Sequence, residues 1–434
     1  MRSTKSPSQT GSWTSRSPFF HGWTVLAIAS LAMFTSGPGQ TYAVSIFVDP
    51  LIKETGWTRT DIAALYAAGS LTAACAMIFI GRLFDRWGAR ILISLIVILF
   101  GLAALWMSRI GSPFELYLGF AAIRTLGQGS LTMIPTSLIA VWFIRLRGRA
   151  TAISFLGTSL SQATFPPVIH FLIAEFGWRG AWVALAVIIW SLLLIPTITF
   201  IRRSPESVGL HPDGDDVSAD ATDVDQDVYR EQEVDWTLRE AAKTRALWLL
   251  LLAGSSQALI GTALVFHQVS IFAGKGLDAS VAASVFTVMA PCAIGASLIA
   301  GYLSDKVPNR FVLAAGQVLM AIGMLLTFAI SSVWHAFLYG AIMGFAQGVI
   351  MTTSAVIWPN YFGRRHIGSI RGAATTSMVG FAAVGPLPFA YTFDITGSYT
   401  TAILVFLLLP LSCVVAALLA FPPQKTVLHQ GVVE

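Results

Sequence analysis

The sequence predicts an all-α integral membrane protein whose twelve transmembrane helices form two pseudo-symmetric halves of six. Three observations indicate this class. Of the 434 residues, 55% are hydrophobic and only 11% are charged, about half the charge of an average soluble protein. Mean hydropathy is +0.71, and apolar stretches close to the roughly 20 residues that cross a bilayer recur along the chain. Several short motifs of the first half also return in the second half.

Six apolar stretches lie on each side of one long polar segment. Their bounds are 23–49, 61–81, 91–110, 114–142, 150–174, 181–201, 246–273, 279–301, 311–330, 333–359, 369–394 and 398–421. If both termini are cytoplasmic, Arg124 lies inside a span and only five other basic residues lie outside: Lys53, Arg59, Arg109, Arg179 and Lys275. This asymmetry fits the positive-inside rule. We therefore expect a multi-pass protein of the inner (plasma) membrane, and the net charge of +5 indicates topology, not a nucleic-acid surface.

The same pattern predicts the domain organisation. Residues 1–20 form a cytoplasmic tail without a cleavable signal peptide, 21–201 the first bundle, 246–422 the second, and 423–434 a second cytoplasmic tail. Between the bundles, residues 202–245 hold 12 of the 22 acidic residues. This acidic linker is either a solvated, mobile connection or a regulatory binding segment. Near its end, Thr237 is placed to cap a short amphipathic helix.

One motif occurs twice, as G-R-L-F-D-R-W-G-A-R from Gly81 and as G-Y-L-S-D-K-V-P-N-R from Gly301. Glycine permits close packing of helices, and an aspartate can accept hydrogen bonds from the N-terminus of a facing helix. The basic residues can pair with carboxylates or helix carbonyls. We therefore expect a cytoplasmic latch, with a plain basic loop as the alternative, formed by Gly81, Asp85, Arg86, Arg90, Gly301, Asp305, Lys306 and Arg310.

Both copies resemble the signature loop of the major facilitator superfamily, and Arg124-x-x-Gly127-Gln128-Gly129 is similar to that family's fourth-span motif. The resemblance extends over residues 20–422. It implies the major facilitator fold, alternating access by rocking of the two halves around a midplane site, and a latch that governs switching and not substrate binding.

A narrower resemblance is to the monocarboxylate transporter and oxalate:formate antiporter branches. It is carried by Gly22-Trp23, Ser45-x-Phe47, Gly56-Trp57-Thr58, Thr237–Ala241 and Phe266-His267, and it implies a small organic anion as substrate. Residues 279–301 hold no Asp or Arg, and the first span holds no Lys. Binding would therefore depend on Arg124, His267, and Gln and Tyr side chains.

Arg124 is the strongest candidate for the substrate site. It lies ten residues into its span, about 15 Å deep, where a charged side chain is costly and usually faces a wet cavity or a partner. No Asp or Glu lies at comparable depth in any span. An anionic substrate could supply the counter-charge, bidentate if it is a carboxylate. The alternative is that Arg124 binds backbone carbonyls between helices.

Four further residues are candidate substrate ligands, each with helix packing as the alternative. Gln40 and Tyr42 follow Gly37-Pro38-Gly39, which should interrupt the first span near the midplane. Gln162 lies in the fifth span. His267 lies in the seventh span, aligned with Tyr42 in the repeat, and is also the candidate proton carrier because imidazole titrates near physiological pH.

These observations favour a secondary transporter of a small organic anion, most simply a monocarboxylate, working by proton symport or anion exchange. No phosphate-binding loop or catalytic constellation is present in the sequence, so we expect no enzyme, cofactor or metal. The expected partners are the anionic substrate, protons in a symport, and the lipid bilayer, with a monomeric chain and no nucleic acid. Two alternatives are an exporter of amphipathic compounds or drugs, and a transport-inactive membrane sensor or scaffold.

Overall fold

The computed structural model describes residues 20–57, 59–214 and 235–424, and every regular element within these ranges is a helix. The two terminal tails and the centre of the acidic linker, where most of its carboxylates lie, fall outside the described residues. The two interpretations of that linker therefore stay predictions.

Six predicted spans lie in the N-terminal half. The helices are α1 (His21–Thr35), α2 (Thr41–Thr55), α3 (Arg59–Met107), α4 (Pro113–Ile123), α5 (Leu131–Trp142) and α6 (Arg147–Phe200). Long helices α3 and α6 each contain two spans, because the backbone leaves helical geometry at Gly88 (φ 78°) and Gly177 (φ 69°). Only glycine adopts such positive φ readily. The pairs α1–α2 and α4–α5 each make one interrupted span.

A four-residue helix, α7 (Leu238–Ala241), precedes the C-terminal half. The helices of that half are α8 (Arg245–Ala273), α9 (Ala279–Ser304), α10 (Asn309–Ala329), α11 (Val333–Phe362), α12 (Ile367–Val384), α13 (Pro386–Thr396) and α14 (Thr400–Leu419). The predicted cap is confirmed, since Thr237 forms a capping box with Glu240. Helices α12 and α13 meet at Gly385 in one span. By length and composition, eight helices of the described chain can cross a membrane, including the double-length α3 and α6.

The predicted break in the first span is confirmed. Residues Gly37–Gly39 form a single 3₁₀ turn between α1 and α2, and Gln40 is extended. The backbone passes very close to the fourth span here, because a Cβ on Gly39 would lie 2.5 Å from the Ile123 carbonyl oxygen and 2.9 Å from Gly127 Cα. Glycine at both positions therefore allows the interrupted chain to pack against the segment that carries Arg124.

The two halves contact each other mainly through α3 against α12 and α6 against α9. Near the middle of these helices, Thr376 donates a hydrogen bond to the Ala74 carbonyl at 2.7 Å. A Cβ on Gly372 would lie 2.6 Å from the Met77 carbonyl oxygen. Eight hydrogen bonds join described residues of the two halves between this level and the end that carries the linker. The halves are therefore closed together at the linker end.

Both described ends of the linker dock on equivalent loops of the two halves. Asp213 accepts hydrogen bonds from the backbone N–H groups of residues 144–146 at 2.7–3.0 Å. Asp235 accepts one from the Arg365 N–H at 3.1 Å, at the position equivalent to Arg145 in the repeat. Arg364 connects the halves, since it pairs with Glu206 at 2.7 Å and donates to the Val141 carbonyl.

Candidate functional site

Arg124 lies at the start of a π-helical segment, Arg124–Ser130, that separates α4 from α5. Single π turns inside α-helices are rare and are frequent at functional sites. Its side chain is only 7% exposed and lies over the ring of Tyr66, with 4.7 Å from Cζ to the ring centroid. The guanidinium is thus held in a largely desolvated position between α2, α3 and the π turn.

The hydrogen bonds of Arg124 go to neutral groups. Nε donates to Ser70 Oγ at 3.0 Å, and Nη1 donates to Thr41 Oγ1 at 3.1 Å and to the Gly39 carbonyl at 3.5 Å. No carboxylate among the described residues pairs with it, and none of them accepts from Nη2. The site therefore contains a buried positive charge with donors still available.

In this arrangement only one nitrogen of Arg124 is available for the expected bidentate contact, which stays a prediction. An arginine binds a carboxylate bidentately through two parallel N–H groups on different nitrogens. Nε and Nη1 already have acceptors within the protein, so only the Nη2 pair of N–H groups is uncommitted. Both alternatives for Arg124 thus have support. It binds a backbone carbonyl, and it keeps one nitrogen for a ligand.

Arg124 also lines a small, partly open cavity between the two halves. The N-terminal half contributes most of the lining, and Val379 of α12 closes it from the C-terminal half. The lining residues are Ser70, Ala73, Met77, Arg124, Gln128, Gly129 and Val379. Thr376 and Ala74 join the halves next to this cavity. Arg124 therefore lies immediately beside the region where the two halves are in contact.

The other predicted ligands in the N-terminal half are placed differently from one another. The Gln40 amide is buried and donates to Ser36 Oγ at 3.0 Å within its own half. Tyr42 donates to Ser161 Oγ at 2.8 Å, which ties α2 to α6. Gln162, next to Ser161, is exposed. Arg124 forms no hydrogen bond with any of these three described residues, so the structure does not assemble them into one site with it.

His267 lies in a separate cluster of the C-terminal half. Its Nδ1 is 3.2 Å from Tyr399 Oη, and its ring stacks on Phe389 with an interplanar angle of 11°. The side chain is buried, at 8% exposure. These contacts join α8 to α13 and to the start of α14, all within one half, so the packing alternative has direct support here.

Three residues of the Arg124 environment were missed in the sequence, namely Thr41, Tyr66 and Ser70. Tyr66 and Ser70 are four residues apart, which places both on one face of α3. A polar pair at that spacing inside an apolar span could have indicated a polar helix face. Nothing in the sequence indicated that this face would meet Arg124 and not lipid.

The repeated motif makes two equivalent contacts between the halves. Asp85 accepts hydrogen bonds from the N–H groups of Gly368 and Ser369, both at 2.8 Å, and from the Ser369 hydroxyl. These are the second and third residues of α12, whose N-cap residue, His366, makes no side-chain cap. Asp85 therefore caps a helix of the opposite half, and satisfies N–H groups that a helix leaves without partners.

The second copy does the same in the reverse direction. Asp305 accepts from the N–H groups of Gly148 at 2.6 Å and Arg149 at 3.2 Å, with Arg149 Nε at 3.5 Å. Leu146, the N-cap residue of α6, makes no side-chain cap. Burial raises the pKa of the Asp305 carboxyl, an effect that these donors oppose. Close packing accompanies both contacts, since a Cβ on Gly81 or Gly148 would lie 2.1 Å from a carbonyl oxygen of the other half.

The basic residues of the motif do not make the expected pairs. Within the described chain, Arg86 and Arg90 are exposed and form no ion pair. Lys306 Nζ lies 4.5 Å from the Tyr302 ring centroid, and Arg310 Cζ lies 4.2 Å from that of Phe421. The two carboxylates of the motif, Asp85 and Asp305, accept from helix N-termini instead. Arg371 of α12 donates to the Ala355 carbonyl at 2.7 Å.

Comparison with known proteins agrees with this architecture. A model of the Major Facilitator Superfamily matches residues 28–296 and 269–431. The probable sulfoacetate transporter SauU of Cupriavidus necator is 23% identical over 377 residues, covering 81% of this chain and 83% of that protein. Human monocarboxylate transporter 11 is 25% identical, with coverage of 70% and 61%. The solved structure of the proton:xylose symporter XylE has 15% identity and a TM-score of 0.70, over 92% of this chain and 94% of that one.

These relatives differ in the substrates their names state, and their identities to this chain are low. The structural likeness to XylE concerns the fold alone. The family model, however, matches well over half of the sequence, and the all-helical architecture is the same. The chain belongs to the Major Facilitator Superfamily, and it is therefore a multi-pass membrane transporter and not an enzyme.

Proposed function

We propose that this protein is a secondary active transporter of a small organic anion, with monocarboxylates as the leading class. The observation that carries the proposal is the charge of Arg124. It is 7% exposed, lines a cavity between the halves and has only neutral hydrogen-bond partners among the described residues. Buried charges are normally paired, so an anionic ligand fits this position better than a neutral or cationic one.

Transport would proceed by alternating access of the two halves around the Arg124 cavity. The contacts of Asp85 and Asp305 favour a state closed at the linker end, which the distribution of basic residues assigns to the cytoplasm. Opening that end would leave the N-termini of α6 and α12 without their caps. This latch works in a monomer, because each half supplies the cap for the other. The positive-inside asymmetry favours an orientation with both termini cytoplasmic, and the proposed membrane is the plasma membrane.

The proposed anion specificity is tested by ligand-dependent thermal stabilisation of the purified protein. Suitable ligands are acetate, lactate and sulfoacetate, with xylose as a neutral compound and tetraphenylphosphonium as a lipophilic cation. A ligand at 100 times its Kd stabilises the folded state by about 2.7 kcal/mol, so millimolar binders are measurable. We expect stabilisation by the anions. Stabilisation only by the cation would favour the exporter, and no stabilisation by any compound would favour the sensor or scaffold.

Coupling to protons is tested at His267, the predicted proton carrier. If it carries the proton, His267→Gln should flatten the dependence of uptake on pH between about 5.5 and 7.5, because glutamine does not titrate. Uptake of radiolabelled anion into proteoliposomes, measured across that range, gives the result. Tyr399→Phe removes the hydroxyl 3.2 Å from Nδ1 but keeps the imidazole, and serves as the matched control. An unchanged profile in His267→Gln would exclude His267 as the carrier and favour anion exchange.

A further inference from the structure

We infer that the hydroxyls of Thr41 and Tyr66 form a second anion-binding element beside Arg124 and set its selectivity for oxyanions. This inference rests on the proposed function and extends it to residues that carry no charge. Tyr66 Oη and Thr41 Oγ1 are 2.8 Å apart, and Thr41 Oγ1 also accepts from Arg124 Nη1 at 3.1 Å. A chain of hydrogen bonds therefore runs from the guanidinium to Thr41 on α2 and from there to Tyr66 on α3.

Counting hydrogens shows that this pair keeps one donor. Each hydroxyl has one hydrogen and accepts through two lone pairs. Whichever residue donates within the pair, one O–H hydrogen has no acceptor among the described residues. The hydrogen bond between them is exposed, and Thr41 is itself an exposed residue. An O–H donor with no acceptor among the described residues therefore lies next to the guanidinium, where the described chain does not cover it.

The guanidinium needs such a neighbour in order to bind an anion with two or more oxygens. Nε and Nη1 donate to the protein, so Arg124 offers Nη2 alone. One oxygen of a carboxylate or sulfonate would accept from Nη2, and a second would accept from the hydroxyl pair. A carboxamide has no charge and only one oxygen, and its N–H could only donate to a remaining hydroxyl lone pair, a neutral hydrogen bond that is weaker than one made to a charged oxygen. The site thus selects the ionised acid over its amide.

The arrangement of Tyr66 supports this role. Its ring is fixed on one side by the Arg124 guanidinium, 4.7 Å from the centroid, and on another by an edge contact with Phe120 at 5.3 Å. A phenylalanine would keep both ring contacts and lose only the hydroxyl. Substitution at this position therefore tests the hydrogen bond separately from the packing.

The experiment is a double-substitution cycle with Tyr66→Phe and Thr41→Val. The Kd of acetate, lactate and sulfoacetate is measured by thermal stabilisation, with lactamide as the neutral analogue of lactate. In either single variant one O–H group remains, so Tyr66→Phe alone should weaken binding by less than about threefold. In the Thr41→Val background no hydroxyl remains, and the same substitution should weaken binding about 10- to 100-fold, the usual effect of a hydrogen bond to a charged group. The preference for lactate over lactamide should fall in parallel.

Thr72 and Tyr117 provide a matched control, because their hydroxyls are also 2.8 Å apart and exposed but have no contact with Arg124. Thr72→Val with Tyr117→Phe should leave Kd unchanged. The inference is overturned if Tyr66→Phe has the same effect in both backgrounds, or if the control pair weakens binding equally. If anions stabilise the wild type through Arg124 but the cycle shows no coupling, only this inference fails. If no anion stabilises the wild type, the proposed function fails.

Discussion

Replacing Arg124 with glutamine should abolish binding and transport of organic anions while the protein still folds and inserts. Glutamine is polar but shorter than arginine, so its amide can replace Nε as the partner of Ser70, but the positive charge is lost. An anion placed there would then be desolvated without a counter-charge, which is costly. We expect Kd to rise at least about 100-fold, or about 2.8 kcal/mol, as measured by thermal stabilisation and by uptake into proteoliposomes.

The matched control is Arg371→Gln. Arg371 is also an arginine within a span, and it donates to a backbone carbonyl, but it does not line the Arg124 cavity. Its replacement should lower the melting temperature without removing the stabilisation by anions. Wild-type flux in Arg124→Gln would instead show that Arg124 only supports the break in the first span through Gly39 and Thr41.

Asp85→Asn should release the contact between α3 and the N-terminus of α12. The asparagine carbonyl accepts through one oxygen, whereas the carboxylate accepts from two backbone N–H groups and the Ser369 hydroxyl. It also lacks the charge that favours a helix N-terminus. Loss of such a cap costs about 1–2 kcal/mol, which corresponds to a 5- to 30-fold shift in the equilibrium between conformations. Turnover should therefore change more than the affinity for substrate.

Hydrogen–deuterium exchange measures this effect directly. Peptides that cover residues 363–372 should exchange faster in Asp85→Asn, because the Gly368 and Ser369 amides lose their acceptor. Asp305→Asn should deprotect residues 144–152 in the same way. Glu175→Gln, an exposed carboxylate in α6, is the control and should alter neither. Unchanged exchange in Asp85→Asn, or a loss of affinity with normal turnover, would contradict the latch.

The contacts of the repeated motif were only partly predictable from the sequence. Glycine and aspartate at the same spacing in both halves predicted a close helix contact and a capped helix N-terminus, and both contacts are present. The partners of Arg86, Arg90, Lys306 and Arg310 were not predictable. A basic residue near a carboxylate suggests an ion pair, but here backbone N–H groups of the opposite half occupy that carboxylate. Which donor binds the carboxylate depends on how the two halves pack.

The candidate site was likewise predictable only in part. The sequence by itself determined the helical membrane class, the two homologous halves, the break at Gly37–Gly39 and the position of Arg124 inside a span, because hydropathy, repeat spacing and glycine or proline position act locally along the chain. Only the tertiary structure decided which faces of the helices meet. It brought Thr41, Tyr66 and Ser70 to Arg124, directed Gln40 and Tyr42 to other partners, and enclosed His267 within the C-terminal half. The direction of a side chain inside a bundle depends on the rotation of each helix against its neighbours, and uniformly apolar helices record little of that rotation in their sequence.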